Sequence, residues 1–347
     1  MIKVLIVDDS AFIRKLLTDQ FASQPDFTVL DTARNGKEAI DKVRRLKPDL
    51  VTMDVEMPII DGIQALEQIM RDTPVPVVMI SSLTHAGAES TIRALQLGAV
   101  DFIAKTAGPI SSLAGIQSEV LDKCRAAVKA NVIQLKKPIA TVLFESKIQL
   151  KPLANAVDDK IVAIGTSTGG PRALQEVLSR LPGSLPSGIV IVQHMPPGFT
   201  RSLAERLNSL SPLIVKEAEN NDVLRHGLVL IAPGNFHMTL ERQQNKTVVK
   251  LNQSPPLSGH RPAVDPLMES VANLYKQKAV GVILTGMGHD GSVGITAIKK
   301  QGGITIAEDH TTSVVYGMPK SAIELGVIDH VVPLQLVADQ IVKSVTK

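Results

Sequence analysis

The sequence predicts an α/β protein built from two doubly wound parallel-sheet domains. The chain has 347 residues, which is long enough for two domains of ordinary size. Short apolar runs alternate with amphipathic stretches in both halves, as in strand–helix repeats. Aromatic residues make up only 3% and Trp is absent, so the cores must consist of Val, Ile, Leu, Ala and Met. This composition suits buried parallel strands.

The first half carries five predicted strands separated by helical patterns. The strands are predicted at 4–7, 28–33, 50–55, 77–81 and 101–105. Amphipathic helices are predicted at 11–23 and 36–47, and one more at 113–135. This alternation predicts a flavodoxin-like parallel sheet.

The second half repeats the alternation from residue 160 onward, which predicts a Rossmann-like domain. Strands are predicted at 160–165, 188–193, 213–217, 279–285 and 303–307. Helices are predicted at 171–180, 200–210, 265–276, 291–301 and 334–345. Between 227 and 251, two β-like runs flank the polar segment ERQQNK, which indicates an inserted antiparallel hairpin.

These patterns predict domains at 1–123 and 160–347, joined at 124–159 by a helix end and a linker. Residues 136–159 lose periodicity and contain two prolines. The single Cys124 excludes an internal disulfide and fits a reducing compartment. Neither a signal peptide nor a membrane-length apolar run is visible, so we expect a cytoplasmic protein without membrane insertion. A net charge of +3 does not indicate a nucleic-acid partner.

Five chemically active side chains fall at strand ends of the first domain. Asp8 and Asp9 follow the first strand and Asp54 ends the third, while Ser81 and Lys105 end the fourth and fifth. The ends of parallel strands meet at one sheet edge, where ligands usually bind. Clustered carboxylates suit Mg²⁺, and a hydroxyl and an ammonium can hold phosphoryl oxygens. These five side chains together predict a site at which one of the carboxylates is phosphorylated.

A Gly-rich loop opens the second domain, in the sequence IGTSTGGP. Its glycines fit a dinucleotide-binding fingerprint only loosely, and the next strand ends in His194 rather than an acid. No G-K-[ST] follows, which excludes a P-loop. The segment does match G-x-S-x-G between a strand and a helix, a turn that exposes Ser167 as a nucleophile. The N–H of Thr168 is then the default oxyanion donor.

A serine nucleophile needs a base and an acid that orients the base. His194 follows the next strand, and Asp290 follows the strand at 279–285. The chain order Ser–His–Asp differs from that of α/β-hydrolases, which implies a separate fold with convergent roles. His237 and His260 are candidates for pocket lining, although structural roles are favoured for both.

The first half resembles the receiver domain of two-component response regulators. The resemblance rests on VDDS (7–10), MDVEMPIIDG (53–62), MISSLT (79–84) and DFIAK (101–105). It implies that a chemotaxis histidine kinase phosphorylates Asp54. It also implies Mg²⁺ ligands and switch residues, namely Asp8, Asp9, Asp54 and the backbone carbonyl of Glu56 for the metal, and Ser81, Phe102 and Lys105 for the switch. The family usually has Pro after the lysine, where this chain has Thr106.

The second half resembles the catalytic domain of chemotaxis protein-glutamate methylesterases. The matching segments include IGTSTGGP (164–171), QHMPPGFTRSLAERLN (193–208), HRPAVD (260–265) and VGVILTGMGHDG (281–291). The resemblance implies Ser167 as nucleophile, His194 as base and Asp290 as orienting acid, with Thr168 and Met287 supporting the oxyanion. It departs at Thr166, where the family commonly has Ala.

The resemblance implies a hydrolase, activated by phosphorylation, that removes methyl groups from glutamate esters of chemoreceptors in sensory adaptation. It also implies deamidation of receptor glutamines and recruitment to membrane receptor arrays, with no cofactor for the hydrolysis. Two alternatives stay open from the residues. A DNA-binding output is disfavoured because residues 160–347 are long, strand-rich and without a basic stripe. A nucleotide-binding domain or an inactive docking scaffold would make Ser167 dispensable.

Overall fold

The computed structural model describes residues 1–105, 117–132 and 160–346. The chain divides into two compact units, Met1–Pro138 and Ile139–Lys347. The linker predicted at 136–159 and the loop position Thr106 lie outside the described residues. No helix in the described part of the chain is long and apolar enough to cross a membrane.

The first unit contains one parallel sheet of five strands with the order β2-β1-β3-β4-β5. Its strands are β1 (Ile2–Val7), β2 (Phe27–Ala33), β3 (Leu50–Asp54), β4 (Val77–Ser82) and β5 (Asp101–Lys105). Its helices are Ala11–Ala22, Gly36–Leu46, Gly62–Asp72, His85–Leu97 and Gln117–Val128. The predicted flavodoxin-like fold class is confirmed, although the last helix ends before the predicted residue 135.

Four helices of the first unit begin at a residue whose side chain caps the helix N-terminus. The side chains of Ser10, Asn35, Asp61 and Thr84 each accept a hydrogen bond from a backbone N–H of the first helical turn. Such caps satisfy donors that otherwise have no partner within the helix. They therefore fix where the chain turns from each strand end into the next helix.

The second unit contains a parallel sheet of seven strands with the order β14-β13-β12-β6-β7-β9-β8. Its strands are β6 (Ile161–Thr166), β7 (Gly188–Gln193), β8 (Ile214–Glu217), β9 (Leu228–Ile231), β12 (Ala279–Ile283), β13 (Ile304–Glu308) and β14 (His330–Val332). Its α-helices are Gly170–Arg180, Phe199–Leu210, Val264–Tyr275, Ser292–Lys300, Met318–Glu324 and Leu334–Thr346. The central strands β6, β7 and β12 are buried along their whole length.

The inserted hairpin is confirmed, but it is shorter than the predicted segment 227–251. Its strands are β10 (His237–Gln243) and β11 (Lys246–Asn252), which pair antiparallel as a separate two-stranded sheet. The first part of the predicted segment, β9, instead pairs parallel with β7 and β8. Because all four residues of β9 are buried and apolar, they complete the main sheet rather than the hairpin.

Candidate active site

The three predicted hydrolytic residues follow strands that are neighbours in the sheet. Strand β6 lies between β12 and β7, and its last residue Thr166 is paired with Gln193 at the end of β7. Ser167 and His194 are therefore the first residues beyond two adjacent strands, and His194 N donates to Thr166 O at 3.2 Å. Asp290 lies in the loop that follows β12. The sheet brings all three to one edge.

His194 and Asp290 form a buried hydrogen-bonded pair. His194 Nε2 lies 2.7 Å from Asp290 Oδ2, and the two side chains are only 5% and 3% exposed. The carboxylate also accepts backbone N–H groups from Val264 (2.7 Å) and Asp265 (3.1 Å), at the start of the helix Val264–Tyr275. Burial alone would raise the pKa of Asp290, but the hydrogen bond and charge of His194, together with the two backbone N–H groups, hold that pKa below its ordinary value. Asp290 is thus an anion that orients the imidazole.

The second ring nitrogen of His194 is available to act as a base. His194 Nδ1 is buried and has no hydrogen-bond partner among the described residues. With Nε2 committed to Asp290, the neutral ring carries its proton on Nε2 and its lone pair on Nδ1. No hydrogen bond joins this nitrogen to Ser167 Oγ in the described part of the chain, as is common before substrate binds.

The turn that carries Ser167 depends on two glycines. Gly169 has φ +79°, and a Cβ on Gly170 would lie 2.0 Å from Gln193 Oε1. The carbonyl of Ser167 accepts hydrogen bonds from Gly170 N (2.8 Å) and Gln193 Nε2 (3.0 Å). The predicted strand–turn–helix arrangement is therefore present, with a backbone that a larger residue at either glycine would distort.

The fold accommodates Thr166, the position at which this sequence differs from the resembled family. This residue is completely buried, and its hydroxyl donates to the carbonyl of Thr285 at 2.9 Å. This hydrogen bond satisfies the hydroxyl, which is the only polar group that Thr166 adds to the alanine common in the resembled family.

The loop that contains Met287 lies directly against residues 166–170, the turn that carries the predicted nucleophile and that is called the nucleophile turn below. A Cβ on Gly286 would be 2.9 Å from the Cβ of Ser167 and 2.3 Å from Met318 Sδ. Gly286 N donates to Val315 O (3.0 Å), and Gly286 O accepts from Met318 N (2.8 Å). The backbone before Met287 is thus fixed beside Ser167, while oxyanion binding by Thr168 and Met287 stays a prediction.

The acidic cluster of the first unit lies at the carboxyl edge of its sheet. Carboxylate oxygens of Asp8, Asp9 and Asp54 lie within 4.8 Å of one another. Lys105 Nζ is 2.8 Å from Asp54 Oδ2 and 3.4 Å from Asp8 Oδ2. Burial raises the pKa of both Asp8 and Asp54, and the Lys105 ammonium only partly offsets this. Apart from its 3.4 Å ion pair with Lys105, Asp8 Oδ2 is buried without a hydrogen-bond partner among the described residues, so the cluster fits a hard divalent cation such as Mg²⁺.

The predicted switch residues lie on the neighbouring strands β4 and β5. The buried Ser81 hydroxyl donates to Gly87 O at 3.1 Å, a hydrogen bond that phosphoryl binding would have to replace. Phe102 is 2% exposed, with Lys123 Nζ 5.1 Å from its ring centroid. The metal-binding role of the Glu56 carbonyl stays a prediction.

Comparisons with known proteins match both units. Residues 162–341 match the family model of the CheB methylesterase, and residues 4–115 match that of the response regulator receiver domain. The protein-glutamate methylesterase/protein-glutamine glutaminase of Pyrococcus horikoshii is 47% identical over 99% of this chain and 94% of its own length. The chain belongs to the CheB methylesterase family. The protein of the same description from Thermotoga maritima is 48% identical over 99% of each chain.

A solved structure supports this membership at the level of the fold. The crystal structure of the Thermotoga maritima CheB methylesterase catalytic domain is 50% identical, with a TM-score of 0.53. It covers 53% of this methylesterase-family chain and 97% of its own. The predicted family and the predicted α/β fold class are both confirmed.

One contact in this methylesterase-family site was missed by sequence reasoning. The ring of His260 stacks on that of His194, with centroids 4.0 Å apart and an interplanar angle of 15°. His237 supports the segment that carries His260, because its Nδ1 accepts from Ala263 N (3.2 Å) and its Nε2 donates to Pro255 O (3.1 Å). Both residues lie in segments that resemble the family, but no local spacing in the sequence indicates the stacking.

A buried acid, Glu308, ends strand β13 behind the nucleophile turn. It is completely buried and accepts hydrogen bonds from Thr285 N (2.8 Å) and Thr312 Oγ1 (3.0 Å). Burial raises the pKa of this carboxyl from its ordinary 4.5 to about 7, despite these hydrogen bonds.

This acid predicts a pH-dependent stability. A carboxyl whose pKa is higher in the folded state binds its proton more tightly there, so stability falls as pH rises from 4.5 through about 7. The loss attributable to Glu308 is up to about 3 kcal/mol. We expect Glu308→Gln to flatten this slope of the free energy of unfolding in urea titrations between pH 5 and pH 8. The chain has two tyrosines and no tryptophan, and Tyr275 and Tyr316 both lie in the second unit, so tyrosine fluorescence reports its unfolding. Equal pH slopes for the wild type and the variant would contradict this assignment.

Proposed function

We propose that this protein hydrolyses glutamate γ-methyl esters on chemotaxis receptors, releases methanol, and also deamidates receptor glutamines. The observation that carries the proposal is the buried His194–Asp290 pair, whose second imidazole nitrogen has no hydrogen-bond partner among the described residues, at the sheet edge where Ser167 follows the adjacent strand. The names of its relatives, protein-glutamate methylesterase/protein-glutamine glutaminase, supply the substrate class.

The chemistry begins with Ser167 as the nucleophile. Its Oγ attacks the ester carbonyl carbon as His194 Nδ1 takes the hydroxyl proton, while Asp290 stabilises the imidazolium. The backbone N–H groups of Thr168 and Met287 bind the oxyanion of the tetrahedral intermediate. Collapse breaks the carbon–methoxy bond, and the proton on His194 moves to the leaving oxygen, which departs as methanol. The product of this half-reaction is a glutamyl ester of Ser167.

Water completes the cycle by the same route. His194 removes a proton from water as it attacks the acyl-enzyme, and returns that proton to Ser167 Oγ as the glutamic acid side chain is released, which then loses its remaining acidic proton to solvent. A glutamine side chain follows the same steps, with ammonia in place of methanol. Both reactions use groups of this chain alone.

The first unit is proposed to regulate this activity through phosphorylation of Asp54 by a histidine kinase. Mg²⁺ held by Asp8, Asp9, Asp54 and the Glu56 carbonyl would neutralise charge on the phosphoryl group. Lys105, whose Nζ lies 2.8 Å from Asp54 Oδ2, would pair with a phosphoryl oxygen, and Ser81 would donate to another. Phe102 would respond as the switch aromatic. A cytoplasmic protein recruited to membrane receptor arrays fits this scheme.

We predict that a small-molecule phosphodonor with Mg²⁺ increases methanol release about tenfold or more. Asp54→Asn should remove this response because the amide cannot accept the phosphoryl group, while basal activity remains. Asp41→Asn, at an exposed carboxyl of the same unit, is the matched control and should respond normally. The regulatory role of Asp54 fails if Asp54→Asn still responds to the phosphodonor.

The proposed activity is tested by measuring methanol released from methylated chemoreceptors in membrane vesicles. We expect continuous turnover by the full-length protein. Receptor binding without methanol release would instead support a docking scaffold, and a salt-dependent shift of DNA without hydrolysis would support a DNA-binding output.

A further inference from the structure

Thr285 makes hydrogen bonds to three successive residues of the nucleophile turn, Thr166, Ser167 and Thr168. Its carbonyl accepts hydrogen bonds from Ser167 N (3.0 Å) and from the hydroxyl of Thr166 (2.9 Å). Its own hydroxyl, Oγ1, donates to the carbonyl of Thr168 at 2.9 Å. The residue is 1% exposed, so water does not replace these bonds. One buried threonine therefore holds the peptide before Ser167 and the peptide after Thr168, which flank the peptide that carries the Thr168 N–H.

The same hydroxyl is linked through Val315 to the residue that precedes Met287, the other predicted oxyanion donor. Thr285 Oγ1 accepts a hydrogen bond from Val315 N at 3.0 Å. The carbonyl of Val315 in turn accepts from the N–H of Gly286, the residue before Met287, at 3.0 Å. The backbones that carry the N–H groups of Thr168 and Met287 are thus joined through one side chain.

Glu308 holds Thr285 in this position. Its Oε2 accepts the backbone N–H of Thr285 at 2.8 Å, and its Oε1 accepts from Thr312 Oγ1 at 3.0 Å. The hydroxyl of Thr312 also accepts Leu334 N at 2.9 Å, at the start of the C-terminal helix. Since Glu308 is completely buried and ends the strand beside β12, its support comes from the rigid sheet.

We propose that Thr285 and Glu308 are positioning residues for ester hydrolysis, aligning the oxyanion-binding backbone of Thr168 and Met287 with Ser167. This inference rests on the proposed function. Preorganised N–H donors stabilise the transition state more than bound substrate, so loss of alignment lowers kcat rather than raising KM. Neither residue exchanges a proton with the substrate, and both act through backbone geometry.

The primary test compares two substitutions at Thr285 in the full-length protein. Thr285→Val keeps the shape but removes the hydroxyl, whereas Thr285→Ser keeps the hydroxyl and loses a methyl group. With methylated receptor vesicles as substrate, we expect Thr285→Val to lower kcat about 10²-fold with KM unchanged. Thr285→Ser should retain kcat within a few-fold. Equal kcat values for Thr285→Val and the wild type overturn the proposal.

Substitutions at Glu308 give an independent readout if Thr285→Val does not fold. Glu308→Gln keeps an oxygen that can accept the N–H of Thr285, whereas Glu308→Met keeps the length and removes the acceptor. We expect near-normal kcat for Glu308→Gln and a loss of about tenfold or more, again without a change in KM, for Glu308→Met. A rise in KM with normal kcat, or equal losses in both variants, contradicts a positioning role.

Ser167→Ala separates failure of this inference from failure of the proposed function. If Ser167→Ala is inactive while Thr285→Val and Glu308→Met keep the wild-type kcat, only the positioning role is wrong. If Ser167→Ala retains the wild-type rate, Ser167 is not the nucleophile, and the result contradicts the proposed function rather than the positioning role alone.

Discussion

Ser167→Ala should reduce methanol release by about 10⁴- to 10⁶-fold, because it removes the proposed nucleophile. The loss is expected in kcat, since the substitution removes one oxygen atom and leaves the binding surface intact. The turn keeps its backbone hydrogen bonds, which involve the Ser167 carbonyl and N–H rather than the hydroxyl. Methanol release under saturating methylated receptor measures the effect.

Receptor binding and folding serve as controls for this variant. Ser167→Ala should bind receptor vesicles as tightly as the wild type and unfold at the same urea concentration. Ser209→Ala, at an exposed serine of the same unit, is the matched control and should keep full activity. Turnover by Ser167→Ala at more than a few per cent of the wild-type rate would be incompatible with serine chemistry.

Asp290→Asn should lower kcat by about 10⁴-fold. Asp290 accepts three N–H groups, from His194, Val264 and Asp265, and a carboxamide has only one oxygen to offer. Its NH₂ group would face a donor or would force the proton of His194 onto Nδ1, the nitrogen that must act as base. The pH profile of kcat and single-turnover methanol release together measure the loss.

Asp339→Asn, at an exposed carboxyl of the C-terminal helix, provides the comparison and should behave like the wild type. Since the ionised Asp290 carboxylate also holds the start of the helix Val264–Tyr275, we expect Asp290→Asn to lower the stability of the second unit. A fully active Asp290→Asn would show that His194 needs no orienting acid.

Most of the fold was predictable because parallel strands are short, apolar and separated by amphipathic helices. The elements that were missed lack that signal. Strand β14 has three residues, two of them exposed, and the helix Met318–Glu324 has only seven. Strand β9 was assigned to the hairpin because a buried apolar run of four residues does not indicate which sheet it joins.

The predicted site residues lie at one sheet edge because a parallel sheet brings its strand ends together, so strand position alone predicts that Ser167 is near His194. Contacts made by distant loops have no such signal. The stacking of His260 on His194 joins residues 66 positions apart, and the bond from Glu308 to Thr285 depends on the pairing of β12 with β13. These contacts arise from tertiary packing, which local periodicity does not encode.

The most direct test of the account is to identify the residue that becomes acylated. Wild-type protein is mixed with methylated receptor peptide and quenched in acid during the first turnovers. It is then digested with trypsin, which cleaves after Lys160 and Arg172. We predict that mass spectrometry finds the glutamyl peptide attached to fragment 161–172 at Ser167, and that Ser167→Ala shows no adduct. Methanol release accompanied by an adduct on any other fragment would contradict the assignment of Ser167 as the nucleophile.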